Sequence, residues 1–156
     1  MIKVTRIDHR LLHGQVAFTW IKAVGADCIL IANDDVASND LRMAALRMAK
    51  PAGVKLVMKS VQDSIDALNS GVTDKYNLFI IVETIGDAHR LAKGAASIRE
   101  VNLGGAKNAD DKHRISPAVC VTDTECAQLR ELADAGVHVY LQQVPSETPV
   151  DVLPLI

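Results

Sequence analysis

Apolar and polar residues alternate over the first part of the chain, and the period then changes. The alternation over residues 2–7 is typical of a β-strand. From residue 15 to Gly25 the apolar residues recur at the spacing of a helix face. The sequence therefore predicts a strand and a helix joined by a turn, and that turn holds Asp8, His9, Arg10 and His13. We expect Gly14 to give the backbone conformational freedom at the helix entrance.

The rest of the chain continues to alternate between strand patterns and helix patterns. Strand patterns follow at residues 26–32, 54–58, 78–82, 98–103, 119–121 and 137–144. Two of the intervening helices begin at capping signals, Ser60 with Asp63 and Thr122 with Glu125. The pair Gly104-Gly105 is expected to end the fifth strand, residues 106–114 to form an exposed loop, and the proline-containing tail to be irregular.

This order predicts an α/β fold in a single domain, residues 1–156. We expect a doubly wound, mainly parallel β-sheet with helices on both faces and an antiparallel strand near the edge. Ligands of such sheets bind at the carboxyl ends of the strands. If the first strand lies at the sheet centre, the turn 8–13 lies over that crevice. Residues 33–35, 83–84 and 104–105 then form the neighbouring loops.

Composition narrows the class of protein. A chain of 156 residues is long enough to bury a core, and with 3% aromatic residues that core must be aliphatic. The net charge of −2 argues against a nucleic-acid partner. No apolar run reaches membrane-spanning length, and the N-terminus has no signal-peptide pattern. Three cysteines without close pairing suit a reducing cytosol, which predicts an intracellular protein.

The residue types in the turn suggest phosphate chemistry. His13 could act as a nucleophile, because a neutral imidazole can accept and release a phosphoryl group. Arg10 and the first-turn amides around Gly14 could bind the phosphate oxygens, and Asp8 could orient the ring or position Arg10. The alternative is that His13 only caps the helix while Arg10 and Asp8 form a surface ion pair.

Other candidate sites are weaker. His9 and His13 are four residues apart, as in some zinc sites, but no third or fourth ligand has suitable spacing. Asp34 and Asp35 could bind magnesium, although a solvated loop that caps the next helix is the better interpretation. Gly104-Gly105 lacks the spacing of a dinucleotide fingerprint. The sequence therefore predicts no metal site and demands no cofactor.

Local chemistry leaves different classes of function open. One is a phosphoryl carrier that uses His13. Another is a non-enzymatic doubly wound module that binds a phosphorylated metabolite or nucleotide without forming a covalent bond. A receiver-like domain phosphorylated on aspartate fits less well, because the acidic pair 34–35 has no obvious partner aspartate and lysine.

Residues 6–16, RIDHRLLHGQV, resemble a known active-site loop. It is that of the enzyme IIB domain in the bacterial phosphoenolpyruvate-dependent sugar phosphotransferase system (PTS), mannose–fructose–sorbose class. Residues 31–37, 48–55, 102–105 and 141–145 resemble later blocks of the same family. The resemblance covers nearly the whole chain.

The resemblance implies a phosphotransferase that relays phosphate during sugar uptake. The family's phosphorylated histidine falls on His13, which would receive phosphate on Nδ1 from a phosphohistidine of a IIA partner. The phosphate would then pass to a sugar held by the membrane partners IIC and IID. Asp8 and Arg10 match supporting positions of the loop, Gly14 lies beside them, and His9 receives no role.

The same resemblance implies where the protein works. We expect it in the cytoplasm, peripherally associated with the inner face of the cell membrane through IIC and IID. The IIA donor is expected on a separate chain or domain. The tail contains the apolar residues Val150, Val152, Leu153, Leu155 and Ile156. These residues could pack within the domain or against another copy in a homo-oligomer. The polar segment 107–114 could contribute to a partner surface.

Overall fold

A single seven-stranded sheet forms the centre of the protein. The computed structural model describes residues 1–156. The strands lie in the order β3-β2-β4-β1-β5-β8-β9, and all neighbours are parallel except β8 and β9. Their bounds are β1 Ile2–Asp8, β2 Cys28–Ala32, β3 Lys55–Lys59, β4 Leu78–Val82, β5 Glu100–Gly105, β8 His138–Leu141 and β9 Val150–Asp151. Strands β6 His113–Ser116 and β7 Val119–Val121 form a separate antiparallel pair.

Helices cover both faces of this sheet. A π-helical segment, Val16–Ile21, continues into α1, Lys22–Val24, and packs on one face together with α3, Asp40–Met48. The opposite face carries α4 Val61–Ser70, α5 Ile85–Gly94 and α6 Asp123–Asp134. The remaining elements are the short helix α2, Asp34–Ala37, and a 3₁₀ turn, Leu153–Leu155. The predicted doubly wound, mainly parallel α/β fold is confirmed, and so is the antiparallel strand at its edge.

The ends of the helices follow the sequence signals. The side chain of Ser60 accepts a hydrogen bond from the amide of Asp63 at the start of α4. Thr122 and Glu125 form a reciprocal capping box at the start of α6. Gly25 adopts a left-handed conformation, with φ of 67°, where α1 ends. The predicted boundaries of these elements are therefore confirmed.

Strand β1 lies at the centre of the sheet, as the sequence predicts, with β4 and β5 as its neighbours. Both faces of β1 are covered by helices, so its polar residues Thr5 and Arg6 are buried along with Val4 and Ile7. The turn after Asp8 consequently opens at the carboxyl edge of the sheet, where ligands of parallel sheets bind.

Three details of the sequence interpretation are wrong. Strand β5 does not stop before Gly104-Gly105 but runs through both. Glycine at position 104 is required by packing instead of by a turn, because the side chain of Arg6 fills the space that a larger residue would need. The segment 106–114 is not entirely a loop, because His113 and Arg114 pair with β7. The tail contributes the edge strand β9, which pairs with β8 through backbone hydrogen bonds that no side-chain pattern reveals.

The tail also completes the core. Val152 is fully buried, and Ile156 packs against the same core, whereas Val150, Leu153 and Leu155 remain exposed. The first of the two expectations for the tail, packing within the domain, therefore holds for Val152 and Ile156. None of the helices combines the length and the hydropathy that a membrane-spanning helix needs.

Candidate functional site

The turn after β1 is fixed by its own two leucines. The amide of Leu11 donates to the carbonyl oxygen of Asp8 at 2.9 Å, which closes a tight turn. Leu11 is the one non-glycine residue with a positive φ, 57°, a conformation that costs about 1–3 kcal/mol for such a residue. Burial of the side chains of Leu11 and Leu12 offsets this cost. The polar residues of the turn are thus presented from a rigid loop.

The carboxylate of Asp8 lies at the centre of the site. It is 1% exposed, and its Oδ2 atom lies 3.0 Å from Nε2 of His13 and 3.2 Å from Nη2 of Arg6. Its Oδ1 atom accepts a hydrogen bond of 3.0 Å from the amide of Arg10. Nε of Arg10 stands farther from Oδ1, at 3.8 Å. Asp8 therefore contacts the histidine ring and both arginines at once.

These contacts keep the carboxylate charged. Burial by itself raises the pKa of Asp8. The hydrogen bonds from His13 and from the Arg10 amide, together with the positive charge of Arg6, outweigh burial and hold the pKa below its ordinary value. A charged carboxylate accepts a proton-bearing nitrogen, so we assign the proton of a neutral His13 ring to Nε2.

His13 then has its unprotonated nitrogen free. Nε2 is occupied by Asp8, and Nδ1 has no hydrogen-bond partner in the protein, while the side chain is 17% exposed. The amides of Gly14 and Gln15, which begin the helix, also have no partner in the protein. A lone pair on Nδ1 next to free helix-end amides is a geometry that can accept a phosphoryl group and bind its oxygens.

Gly14 does not supply the conformational freedom that we expected of it. Its φ is not positive, so any residue can adopt its conformation. A Cβ at position 14 would find only Phe18 nearby, at 4.0 Å. Its contribution to phosphate binding through the backbone amide stays a prediction.

Arg10 reaches across the mouth of the site. Its side chain is 52% exposed, and Nη2 donates a long hydrogen bond of 3.4 Å to Oε1 of Gln15. The guanidinium therefore lies between the Asp8 carboxylate and the start of the helix, and most of its donors face solvent. This position suits a group that binds an arriving phosphate.

The sequence interpretation missed Arg6. Its guanidinium is almost fully buried and donates to Oδ1 of Asn102 at 2.7 Å and to the carbonyl oxygen of Gln142 at 3.1 Å, in addition to Asp8. It also stands 5.3 Å from the ring centre of Trp20. Burial lowers the pKa of Arg6, and the neighbouring Asp8 offsets only part of that effect. The one available signal was a charged residue in a strand predicted to be central.

Other polar residues near the carboxyl edge of the sheet cap helices or form ion pairs. Asn33 caps α2 and donates to Glu83 at 2.7 Å. Asp34 accepts from the amide of Val61 and pairs with Arg90 at 3.0 Å. The acidic pair is solvated, as expected, but it forms the first turn of α2 instead of a loop, and the cap of that helix is Asn33. The ring of His13 contacts Asp8 and accepts no hydrogen bond from an amide of the helix, so the structure does not support the suggestion that its side chain caps the helix.

The structure brings no metal-ligand set together. No cluster of three or more histidine, cysteine, aspartate or glutamate side chains is arranged to hold a metal ion. His9 instead turns toward β5, where its amide donates to the carbonyl oxygen of Gly105 at 3.1 Å. The three cysteines are free and buried.

Comparison with known proteins gives a consistent result. A family model described as the PTS system sorbose subfamily IIB component matches residues 2–156. The N-acetylgalactosamine-specific phosphotransferase enzyme IIB component 2 of Escherichia coli (strain K12) is 32% identical over 155 residues, which cover 99% of this chain and 98% of that protein. The PTS system mannose-specific EIIAB component of E. coli is 28% identical over 156 residues, which cover 100% of this chain and 48% of that protein.

A solved structure agrees with these sequence matches. The crystal structure of the IIBSor domain of the sorbose permease from Klebsiella pneumoniae superposes with a TM-score of 0.93 at 30% identity. The match covers 99% of this chain and 95% of that domain. Fold and sequence are therefore similar over the same length of chain.

Proposed function

The chain belongs to the sorbose subfamily of PTS IIB components, and we propose that His13 is the residue that carries its phosphoryl group. IIB components are phosphotransferases that relay a phosphoryl group in sugar uptake. The observation that supports His13 is the contact of 3.0 Å between its Nε2 and Oδ2 of Asp8. Because this contact holds the proton on Nε2, the lone pair on Nδ1 is available to attack phosphorus.

The relay consists of two displacements at phosphorus. In the first, the lone pair of Nδ1 attacks the phosphohistidine of the IIA donor, a new P–N bond forms, and the P–N bond to the donor breaks with its electrons returning to the donor ring. In the second, a sugar hydroxyl oxygen attacks phosphorus, the P–Nδ1 bond breaks with its electrons returning to the ring of His13, and the hydroxyl proton passes to solvent. Arg10 and the amides of Gly14 and Gln15 stabilise the equatorial oxygens in both steps.

Asp8 stabilises the intermediate as well as the nucleophile. Once Nδ1 is phosphorylated, the ring can release its phosphoryl group readily only if it carries a proton on Nε2. Asp8 keeps that proton in place, and Arg6 keeps Asp8 charged. Arg10 is the more exposed of the two arginines, so its hold on the phosphate is modest and transfer to the next acceptor can proceed.

The IIB role implies a IIA donor and IIC and IID acceptors, and we assign this chain a place between them in the cytoplasm at the inner face of the membrane. The EIIAB name of the mannose-specific relative supports a IIA partner. The free atoms of the site, Nδ1 of His13 and the donors of Arg10, face the same opening at the carboxyl edge of the sheet. Donor and acceptor therefore use this opening in turn.

Self-association is a separate proposal. The exposed apolar residues of the tail, Val150, Leu153 and Leu155, form the surface that a second copy would cover. Sedimentation of the purified protein over a range of concentrations tests it, and a strictly monomeric protein would contradict it.

Incubation with phosphorylated IIA tests the assignment of His13. The intact mass should rise by one phosphoryl group that is stable in base and lost in acid. Nitrogen-15 NMR of the labelled ring should place the phosphoryl group on Nδ1. The His13→Ala variant should remain at the unphosphorylated mass, and an acid-labile phosphate on that variant would overturn the proposal.

A histidine of the same loop provides the matched control. His9→Ala removes an imidazole four residues away whose Nδ1 is buried without a partner. This variant should still take up one phosphoryl group. The alternative function, a module that binds a phosphorylated metabolite without a covalent bond, is not favoured by the family, and it predicts no mass increase in any of these proteins.

A further inference from the structure

A second cavity lies along the edge strand β3, three strands away from β1 and His13. It has a volume of about 270 Å³ and opens beside the edge strand β3, under α4 and the loop that follows it. Three of its wall residues, Cys28, Lys55 and Leu78, are the first residues of β2, β3 and β4. His13 instead follows the last residue of β1, so the cavity is separate from the phosphoryl site.

The interior of this cavity is apolar. Its walls include Leu30, Val57, Ala67 and Leu78, and Val72 stands at the mouth with 57% of its surface exposed. Walls of this kind offer no hydrogen-bond partners to the hydroxyl groups of a sugar or to a nucleotide base. They favour a hydrocarbon group instead.

The rim of the cavity is cationic. Lys55, Lys59 and Lys75 all line it together with Tyr76. Nζ of Lys55 donates to the hydroxyl of Tyr76 at 3.0 Å, and Nζ atoms of Lys55 and Lys75 both stand 5.2 Å from the centre of its ring. The lysines that form ion pairs in this protein are Lys93 and Lys112, so the three at the rim have no carboxylate partner.

We propose that this cavity binds a short-chain apolar carboxylate, with the hydrocarbon chain inside and the carboxylate at the lysines. The cavity is slightly smaller than the roughly 300–1,000 Å³ of pockets that hold drug-sized ligands, which sets the upper limit on the chain. The ammonium groups of Lys55 and Lys75 stand together at Tyr76 without a carboxylate partner, and the carboxylate of the ligand would pair with them. The proposal does not depend on the role of His13.

Calorimetric titration of the intact protein with octanoate tests the proposal. Octanoate should bind. Octanol, which lacks the carboxylate, and acetate, which lacks the hydrocarbon chain, should each bind at least tenfold more weakly. Changing Lys55 and Lys75 together to Gln should weaken octanoate by roughly fivefold for each charge removed and leave octanol unchanged. Equal affinity for octanoate and octanol would overturn the proposal.

A filled cavity provides the second arm of the test. Ala67→Phe places a ring in the cavity and should abolish octanoate binding, while Ala44→Phe on the exposed face of α3 should not. If circular dichroism shows that Ala67→Phe does not fold, the smaller substitution Ala67→Leu replaces it in the binding test. Binding that survives both substitutions at position 67 would contradict the proposal. Self-association that these substitutions abolish would assign the cavity to a second copy and overturn it as well.

Discussion

Gly104 and Arg6 share one space in the centre of the protein. A Cβ added to Gly104 would overlap Cζ and Nη1 of Arg6. The guanidinium therefore occupies the volume that any side chain at position 104 would need. Because Arg6 contacts Asp8, and Asp8 contacts His13, we expect Gly104 on β5 to control the geometry of the proposed phosphoryl site without touching it.

The Gly104→Ala substitution should displace Arg6 from Asp8. The free energy of unfolding should fall by about 1–3 kcal/mol, as for other overpacked sites, and phosphoryl transfer from IIA to His13 should slow. Urea unfolding and the rate of mass increase with phosphorylated IIA measure the two effects. Gly86→Ala is the matched control, because the nearest atom to its added Cβ lies at 3.8 Å. If both variants behave alike, Gly104 is not needed for the position of Arg6.

Removal of the buried guanidinium of Arg6 should lower the free energy of unfolding more than removal of the exposed guanidinium of Arg90. Arg6→Met leaves the buried carboxylate of Asp8 without its arginine counter-charge and Oδ1 of Asn102 without its donor, so the free energy of unfolding should fall by about 3–5 kcal/mol. Arg90→Met removes the half-exposed pair with Asp34 and should cost less than about 1 kcal/mol. Urea unfolding of both variants decides the point, and equal losses would contradict a structural role for Arg6.

Sequence patterns predicted the part of the fold that depends on local periodicity. The buried strand Leu78–Val82, the helix end at Gly25 and the capping box at Thr122 each follow from a few neighbouring residues. The burial of Arg6 could not be predicted in this way. Its partners Asn102 and Gln142 are 96 and 136 residues away along the chain.

The glycines of β5 show the same limit of local patterns. Two adjacent glycines ordinarily predict a turn, yet here they continue a strand because Arg6 packs on one of them and the backbone of His9 pairs with the other. Similarly, the sequence singled out the turn residues Asp8, Arg10 and His13 from their residue types, and the structure brings them together. The hydrogen bond between Asp8 and Nε2 of His13, on which the proposed role of Nδ1 rests, depends on side-chain positions that residue types alone do not define.

The charge of Asp8 should make the stability of the fold depend on pH. The folded protein holds the pKa of Asp8 below its ordinary value, so the unfolded chain takes up the proton first as the pH falls. The stabilisation is therefore complete above about pH 4 and is lost as the pH falls through the lower pKa of the folded state. Asp8→Asn should lose about 3–5 kcal/mol at pH 7, because Arg6 is left buried without a counter-charge.

Urea unfolding between pH 7 and pH 2.5 measures this dependence. The difference in stability between the wild type and Asp8→Asn should shrink as the pH falls below 4. Asp134→Asn is the control, because Asp134 is exposed and forms no ion pair, and it should differ from the wild type by no more than about 0.5 kcal/mol at any pH. A constant difference between the wild type and Asp8→Asn would show that the charge of Asp8 does not stabilise the fold.

Asp8→Asn should also place the proton of His13 on the wrong nitrogen. An asparagine side chain can offer its amide N–H to Nε2, which leaves the proton on Nδ1 and removes the lone pair that attacks phosphorus. Transfer from IIA should slow even at urea concentrations and temperatures where the variant is fully folded. Nitrogen-15 NMR of the ring reports the tautomer directly. A variant that keeps the proton on Nε2 but still transfers slowly would assign the effect of Asp8 to charge alone.

Arg10 should affect phosphoryl transfer without affecting the fold. Its side chain is half exposed and its contacts with Asp8 and Gln15 are long, so Arg10→Gln should change the free energy of unfolding by no more than about 0.5 kcal/mol. A hydrogen bond to a charged group contributes about 1.5–3 kcal/mol, so transfer to His13 should slow by roughly tenfold to a hundredfold. Arg10→Lys keeps the charge but not the planar guanidinium, so its transfer rate should lie between those of the wild type and Arg10→Gln. Arg47→Gln, an exposed arginine of α3 without an ion pair, should transfer at the wild-type rate. Equal rates for Arg10→Gln and Arg47→Gln would exclude Arg10 from phosphate binding and leave the amides of Gly14 and Gln15 as the ligands of the phosphoryl group.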